Sequence, residues 1–273
     1  MKTNNISLYI ISLIIIFILC FGIFFLTFCD SNEAFALNPN SYLDVVNDLY
    51  GQDMDWFYDS QYLNMYGVKN YLLNFKSNNN YDWDYIKKNP IVIAVVDTGI
   101  DYEHEIFTGA YNDFGESINL EENTISKYDV LYRDENGDII GTNVASADNN
   151  KPVCDFSDDA YDSHGTHVAG IIAALIHFCN LEEYIKIMPI KASYINKDDK
   201  KNYFKSTRIL GKNGALDFAV LNGAEIINMS LAAESSKNEW DNSEKYKEIE
   251  SYAVMVAAAG NYGKNSGDKP YYP

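Results

Sequence analysis

Two short segments of this sequence carry side chains that could perform acid–base chemistry. Asp97 directly follows the apolar run 91–96 and precedes a Thr-Gly turn. His164 lies in the string SHGTHVAG, at the predicted start of a helix, and the two glycines of that string allow close backbone approach. A carboxylate at the end of a buried strand needs a partner, and a histidine that it orients becomes a general base.

A third segment, 253–261, is a run of small apolar residues that ends in Gly260-Asn261. An amide side chain at the end of a buried strand can donate a hydrogen bond to a developing oxyanion. Taken alone, the Gly-Asn pair indicates a turn more strongly than a catalytic group.

Each segment also has another interpretation. A strand followed by Asp-Thr-Gly is equally compatible with an aspartic protease or a phosphate-binding turn. His164 and His167 are three residues apart, a spacing that could bind a metal, but no third ligand is suitably placed and the His-Glu-x-x-His motif is absent. We therefore predict no metal site and a structural role for His167.

The elements that would position these residues alternate between strand and helix. Short β-branched or small apolar runs predict buried strands, and longer runs with helical periodicity predict helices. This alternation predicts an α/β fold with a parallel sheet and helices on both faces. The predicted strands are 91–96, 185–190, 225–230 and 253–259, and the predicted helices are 168–178, 216–222 and 243–251. The stretch 110–162 is predicted to be a long surface excursion with one or two short strands.

Composition limits the function further. The net charge of −18 argues against a nucleic-acid partner, which would need a basic face. The four cysteines show no zinc-ligand spacing, and for Cys154 and Cys179 free, partly buried thiols are favoured over a disulfide. The acidic segment 134–138 departs from the calcium-loop pattern, and a turn is predicted there.

The N-terminus predicts contact with a membrane. Residues 6–28 are almost wholly apolar and long enough to span a bilayer as a helix. The span could be an uncleaved anchor, or a signal peptide cleaved after the Ala-Phe-Ala of 34–36. A lipoprotein signal before Cys29 is a weaker alternative, because the bulky Phe28 directly precedes the cysteine. Each alternative predicts an extracellular or cell-surface protein, either membrane-anchored or secreted.

Taken together, the motifs resemble those of the subtilisin-like serine proteases (subtilases). Asp97-Thr98-Gly99 matches the aspartate motif of that family, and the histidine string matches almost letter for letter. The segment 226–231, IINMSL, resembles the family's substrate-binding strand, and AAGN at 258–261 resembles its oxyanion segment. The resemblance covers about residues 50–273 and implies a parallel-sheet, three-layer subtilisin-like fold.

The resemblance also implies roles. His164 would be the general base and Asp97 its orienting acid in a serine endopeptidase that hydrolyses peptide bonds. Asn261 would donate to the oxyanion. The expected substrate is an extended polypeptide, bound by the backbone of two segments whose members are Ser230, Leu231 and Ala232 on one side and Ala258, Ala259 and Gly260 on the other.

The largest departure from the family concerns the nucleophile. The family's serine lies in a Gly-Thr-Ser-Met-Ala-like stretch some tens of residues after the oxyanion asparagine, whereas this sequence ends at Pro273. We therefore expect a chain truncated before the catalytic serine, a fold incomplete at its C-terminus, and no activity from these residues alone. The alternative is a catalytically dead pseudoprotease that binds peptides.

Other departures affect the calcium site and the domain boundaries. The segment 176–181 lacks the family's glycine-containing calcium loop, so no cofactor is predicted. Two alanines also replace the glycine that usually follows the Ser-Leu pair. We expect a signal or anchor at 1–36, a short prosegment or N-terminal arm at 37–85, and a partial peptidase domain at 86–273.

Overall fold

The computed structural model describes residues 82–110, 124–145, 157–158, 163–195, 202–231, 233–234, 244–258 and 271–272. Their elements in chain order are α1 (Trp83–Lys88), β1 (Ile91–Asp97), α2 (Glu105–Thr108), β2 (Thr142–Asn143), α3 (His164–Phe178), β3 (Ile185–Lys191), β4 (Ser193–Ile195), β5 (Asn202–Phe204), α4 (Ser206–Leu210), α5 (Ala215–Leu221), β6 (Ala224–Met229), β7 (Ala233–Glu234), α6 (Glu244–Ile249), β8 (Val254–Ala257) and β9 (Tyr271–Tyr272).

A parallel sheet organises these elements. Within the described ranges it contains five strands in the order β2-β3-β1-β6-β8, and every pairing between neighbours is parallel. Strand β1 lies in the middle and all seven of its residues are buried, as expected for a β-branched run covered on both faces. The predicted parallel α/β fold is therefore confirmed.

Helices cover both faces of this sheet. Ile93 and Val95 point to one face, where they join a hydrophobic cluster that includes Ala169 and Ile172 of α3. Val92, Ala94 and Val96 point to the other face and join a second cluster that includes Leu216 and Ala219 of α5. Alternation along β1 thus divides the core into two layers, because successive side chains of a strand point to opposite faces.

Part of the predicted surface excursion 110–162 belongs to the hydrophobic core. Val130 and Leu131 are fully buried, and Leu131 forms a parallel bridge with Ile187 of β3. The sequence did not indicate this burial, because polar residues flank the two positions on both sides. The predicted turn at 134–138 is confirmed, because Asp134 Oδ1 accepts hydrogen bonds from the backbone of Asn136 and Asp138.

The N-terminal span 6–28 lies outside the described residues. Among the described residues, no helix has the length and apolar character needed to cross a membrane. Cys179 is buried, whereas Cys154 lies outside the described ranges, so the preference for free thiols stays a prediction.

A buried histidine joins the C-terminal end of α3 to α2. His177 Nε2 lies 2.8 Å from the carbonyl oxygen of Ile106, and Nδ1 lies 3.0 Å from Glu182 Oε1. A carbonyl oxygen can only accept, so Nε2 donates to it, and a proton is shared between Nδ1 and the carboxylate. The side chains of His177 and Glu182 are only 7% and 11% exposed, so neither group can exchange this contact for water at little cost.

We predict that His177→Leu lowers the free energy of unfolding by about 3 kcal/mol, because it leaves the Glu182 carboxylate buried without its partner. The double variant His177→Leu/Glu182→Leu should recover at least half of that loss, because it removes both polar groups. Urea denaturation of the whole chain provides the measurement. A double variant as unstable as the single one would contradict this account.

Candidate active site

The predicted acid–base pair forms at the carboxyl end of β1. Asp97 is the last residue of that strand and His164 is the first residue of α3. His164 Nδ1 lies 2.7 Å from Asp97 Oδ1, although the two residues are 67 positions apart in the chain. The Asp97 side chain is 3% exposed and the His164 side chain 19% exposed, so the carboxylate is buried while the imidazole is partly accessible to solvent.

Short contacts between the Asp97 turn and the first turn of α3 fix this geometry. Asp97 Oδ1 also accepts a hydrogen bond of 2.8 Å from the backbone N–H of Thr98. The Thr98 hydroxyl oxygen accepts one, also of 2.8 Å, from the backbone N–H of Gly165. Thr98, the residue after Asp97, thus fixes the position of Gly165, the residue after His164.

Glycine is required at position 165 by space. A Cβ atom there would lie 2.1 Å from the carbonyl oxygen of Gly99, far inside van der Waals contact. Gly99 itself has a φ of 105°, a backbone conformation that favours glycine. The Thr-Gly and His-Gly pairs of the two motifs therefore pack against each other, which explains why both motifs contain a glycine beside the polar residue.

The Asp97 carboxylate is asymmetric. Oδ1 accepts from both Thr98 and His164, whereas Oδ2 is buried and has no hydrogen-bond partner among the described residues. A buried carboxylate is costly unless its charge is compensated. A protonated His164 would place a positive charge beside this carboxylate.

The predicted substrate strand ends at the same edge of the sheet. Val95 of β1 pairs with Asn228 of β6, so Asp97 lies level with Ser230. Ser230 is buried, and its hydroxyl oxygen accepts a hydrogen bond of 3.0 Å from Asn228 Nδ2. Leu231 is half-buried and packs against the cluster on the α5 face of the sheet.

The opposite wall of the predicted substrate cleft is described only at its first residue. Ala258 follows β8, and its backbone N–H donates to the carbonyl oxygen of Met229 at 3.1 Å. It therefore lies beside Ser230 at the edge that carries the acid–base pair. The remaining predicted site residues lie outside the described ranges, namely Ala232, Ala259, Gly260 and Asn261.

A metal finds no ready set of ligands in the described part of the chain. No group of three His, Cys, Asp or Glu side chains lies together there. At the end of α3, where the family resemblance would place calcium, His177 instead pairs with Glu182. An imidazole is a poor ligand for a hard cation that prefers oxygen. The absence of a cofactor stays a prediction.

The sequence did not single out Lys191 as part of this edge. Lys191 is the last residue of β3, it pairs with Asp97 in the sheet, and it is 5% exposed. Its ammonium group donates to the carbonyl oxygen of Ser157 at 2.7 Å. A lysine at the end of a largely apolar strand was the available signal, because a buried charge needs polar partners.

A cavity of about 690 Å³ lies at the other end of the sheet, away from the acid–base pair. Ile91 at the start of β1, Lys186 and Arg133 contribute to its lining. Burial lowers the pKa of Lys186, and the nearby Asp129 carboxylate partly offsets that effect. In parallel sheets functional groups collect beyond the carboxyl ends of the strands, so this cavity is not the candidate active site.

Comparison with known proteins identifies the family of the chain. The model of the subtilase family (Peptidase_S8) matches residues 88–273, and the chain therefore belongs to the subtilase family. The chain is also 27% identical over 247 residues to a protein named thermophilic serine proteinase from Bacillus sp. (strain AK1). That match covers 86% of this chain and 48% of the relative, so the chain spans about half the length of the curated relative that it matches.

We predict that Gly165→Ala lowers the free energy of unfolding by about 2 kcal/mol or more, because the added methyl group meets backbone that cannot move aside. Gly170→Ala in the same helix is the matched control. A Cβ at position 170 meets nothing within 4 Å, and alanine is the better helix former, so this variant should be as stable as the parent or more so. Thermal unfolding followed by circular dichroism measures both, and equal stabilities would contradict the packing account.

Proposed function

We propose that this chain contributes the acid, the base and the oxyanion donor of a subtilisin-class serine endopeptidase. The observation that supports it most is the 2.7 Å hydrogen bond between Asp97 and His164 at the carboxyl end of the central strand. Membership of the subtilase family supports a serine protease as the class. The named relative, a serine proteinase, agrees with that class.

In this proposal His164 is the general base. Because Nδ1 faces Asp97, Nε2 is the nitrogen that accepts the proton from a serine hydroxyl as its oxygen attacks the peptide carbonyl carbon. The resulting imidazolium is stabilised by the buried carboxylate, and its proton then passes to the leaving amine. An acyl-enzyme remains, which water hydrolyses through the same base.

Asn261 would donate its amide N–H to the tetrahedral oxyanion, an interaction worth about 3 kcal/mol in such sites. The substrate would lie extended along the backbone of residues 230–232, with 258–260 forming the facing wall. Main-chain pairing of this kind recognises any extended peptide, and side-chain pockets then determine which peptide is cleaved. The level arrangement of Ser230 and Ala258 beside Asp97 supports this placement.

The nucleophile is assigned to a serine outside these 273 residues, because the sequence contains no Gly-Thr-Ser-Met-Ala-like stretch. The 273 residues alone are therefore proposed to be inactive. We also propose that 6–28 anchors the protein to a membrane or directs its export, which would place the domain 86–273 outside the cytoplasm. The start of the family match at residue 88 supports that domain boundary.

The test is to express the reading frame to its natural stop codon and to assay hydrolysis of a chromogenic peptide. His164→Ala should lower kcat by about a millionfold and Asp97→Asn by about ten-thousandfold, because a triad without its base or its orienting acid loses most of its catalytic power. His167→Ala is the matched control, since that histidine is exposed and one turn away. It should retain the parent activity, and full activity in His164→Ala would contradict the proposal.

The absent serine motif favours one second candidate, a pseudoprotease that binds peptides without cleaving them. It would share the Asp97–His164 pair as an inherited feature. A reading frame with no serine motif of the family, together with peptide binding unaffected by His164→Ala, would support this candidate. An in-frame Gly-Thr-Ser within roughly 80 codons of codon 273 would favour the protease.

A further inference from the structure

The residue at the N-cap position of α3, the helix that begins with His164, does not cap the helix with its side chain. Ser163, at the N-cap position of α3, has a φ of 48° and makes no side-chain capping hydrogen bond. The first N–H groups of a helix have no partner within the helix and need acceptors from elsewhere. Thr98 supplies one for Gly165, as described above, so the acceptor for the next N–H group must come from another part of the chain.

Asp158 supplies that acceptor. Its Oδ2 atom accepts a hydrogen bond of 2.9 Å from the backbone N–H of Thr166 and one of 2.6 Å from the Thr166 hydroxyl. A carboxylate at this end of a helix also interacts favourably with the helix dipole. Asp158 therefore does what an N-cap residue does, although it lies outside the helix and precedes it by several positions.

The position of Asp158 is itself held from two directions. Its backbone N–H donates to the carbonyl oxygen of Ile100, just beyond the Asp97 turn, at 3.2 Å. The carbonyl oxygen of the preceding residue, Ser157, accepts the 2.7 Å hydrogen bond from the buried Lys191. Residues 157–158 are thus tied both to the segment after β1 and to the end of β3.

Thr166 completes the connection to the acid. Its hydroxyl oxygen accepts a hydrogen bond of 3.0 Å from the backbone N–H of Asp101 while its proton goes to Asp158. The first turn of α3 is therefore joined to the segment that leaves Asp97 at three places: through Thr98, through Asp101 and through Asp158. His164 belongs to this same turn, because a helical turn contains 3.6 residues.

From these contacts we infer that Asp158 is a positioning residue for His164. Its carboxylate fixes the first turn of α3 at the distance from which His164 reaches Asp97. The inference rests on the proposed function only in taking His164 as the base of a peptidase. The hydrogen-bond geometry on which it depends exists without a nucleophile or a substrate.

The test uses proton NMR of the whole chain in detergent micelles. A histidine Nδ1 proton shared with a buried carboxylate gives a far-downfield resonance, and its exchange rate with water reports how often the hydrogen bond opens. His164 and His177 each have such a proton, and His164→Gln and His177→Gln assign the two resonances. The His177 resonance then serves as an internal control for folding.

Asp158→Ala should raise the exchange rate of the His164 proton about tenfold, the effect of losing a helix cap, and leave the His177 proton unchanged. Asp158→Asn keeps an acceptor oxygen and should rescue most of the effect. Asp101→Ala is the matched control, because it removes a neighbouring exposed carboxylate but keeps the backbone N–H that Thr166 uses. It should leave both exchange rates unchanged.

An unchanged His164 exchange rate in Asp158→Ala would overturn the inference. If both protons exchange faster in that variant, the chain as a whole has loosened, and Thr166→Val decides. This variant removes only the hydroxyl. Exchange that is faster than in the parent at His164 alone supports the inference, and exchange that is faster by the same factor at both histidines overturns it. None of these results depends on turnover, so they stand apart from the outcome of the peptidase assay.

Discussion

The hydrogen bond between Asp97 and His164 sets the main constraint on this structure, because it requires the end of one element and the start of another, 67 residues later, to meet within 2.7 Å. A strand end and a helix start can approach so closely only where both backbones lack side chains at the contact. Gly99 and Gly165 provide that contact. The rest of β1 must then be buried on both faces, since the helix lies on one face and the α5 layer on the other.

Burial of the Asp97 carboxylate costs free energy, and this residue lies at one edge of the sheet, where β1 ends. The buried side chains of β1, β3 and β6 are apolar along most of each strand, and the buried polar ones lie toward the carboxyl ends, at Asp97, Lys191 and Asn228, with Ser230 just beyond β6. Each has a hydrogen-bond partner on the described part of the chain. The second carboxylate oxygen, Asp97 Oδ2, has no hydrogen-bond partner among the described residues, and a protonated His164 would compensate its charge. Polar groups that cost stability are commonly kept at functional sites in this way.

The sequence predicted the parts of this site that depend on local pattern. Strand β1 was predictable from a continuous β-branched run. The glycine-rich string placed His164 next to an apolar helix predicted over 168–178, and the helix begins four residues earlier, at His164 itself. Contacts between side chains far apart in the chain were not predictable. Nothing in the sequence indicates that Thr98 accepts from Gly165, that Asp158 caps α3, or that His177 reaches Ile106, because each depends on how two elements pack. Val130 and Leu131 were misjudged for the same reason.

The contacts that orient the base belong to a different part of the fold from those that would bind substrate. Residues of β1, α3 and the segments 97–101 and 157–158 make every described hydrogen bond that fixes the Asp97–His164 geometry. Ser230 and Leu231 follow β6, Ala258 follows β8, and none of the three takes part in those bonds. The shared edge of the sheet is what brings the two sets together. In the proposed protease, a change in the second set would therefore alter substrate preference while leaving the Asp97–His164 geometry unchanged.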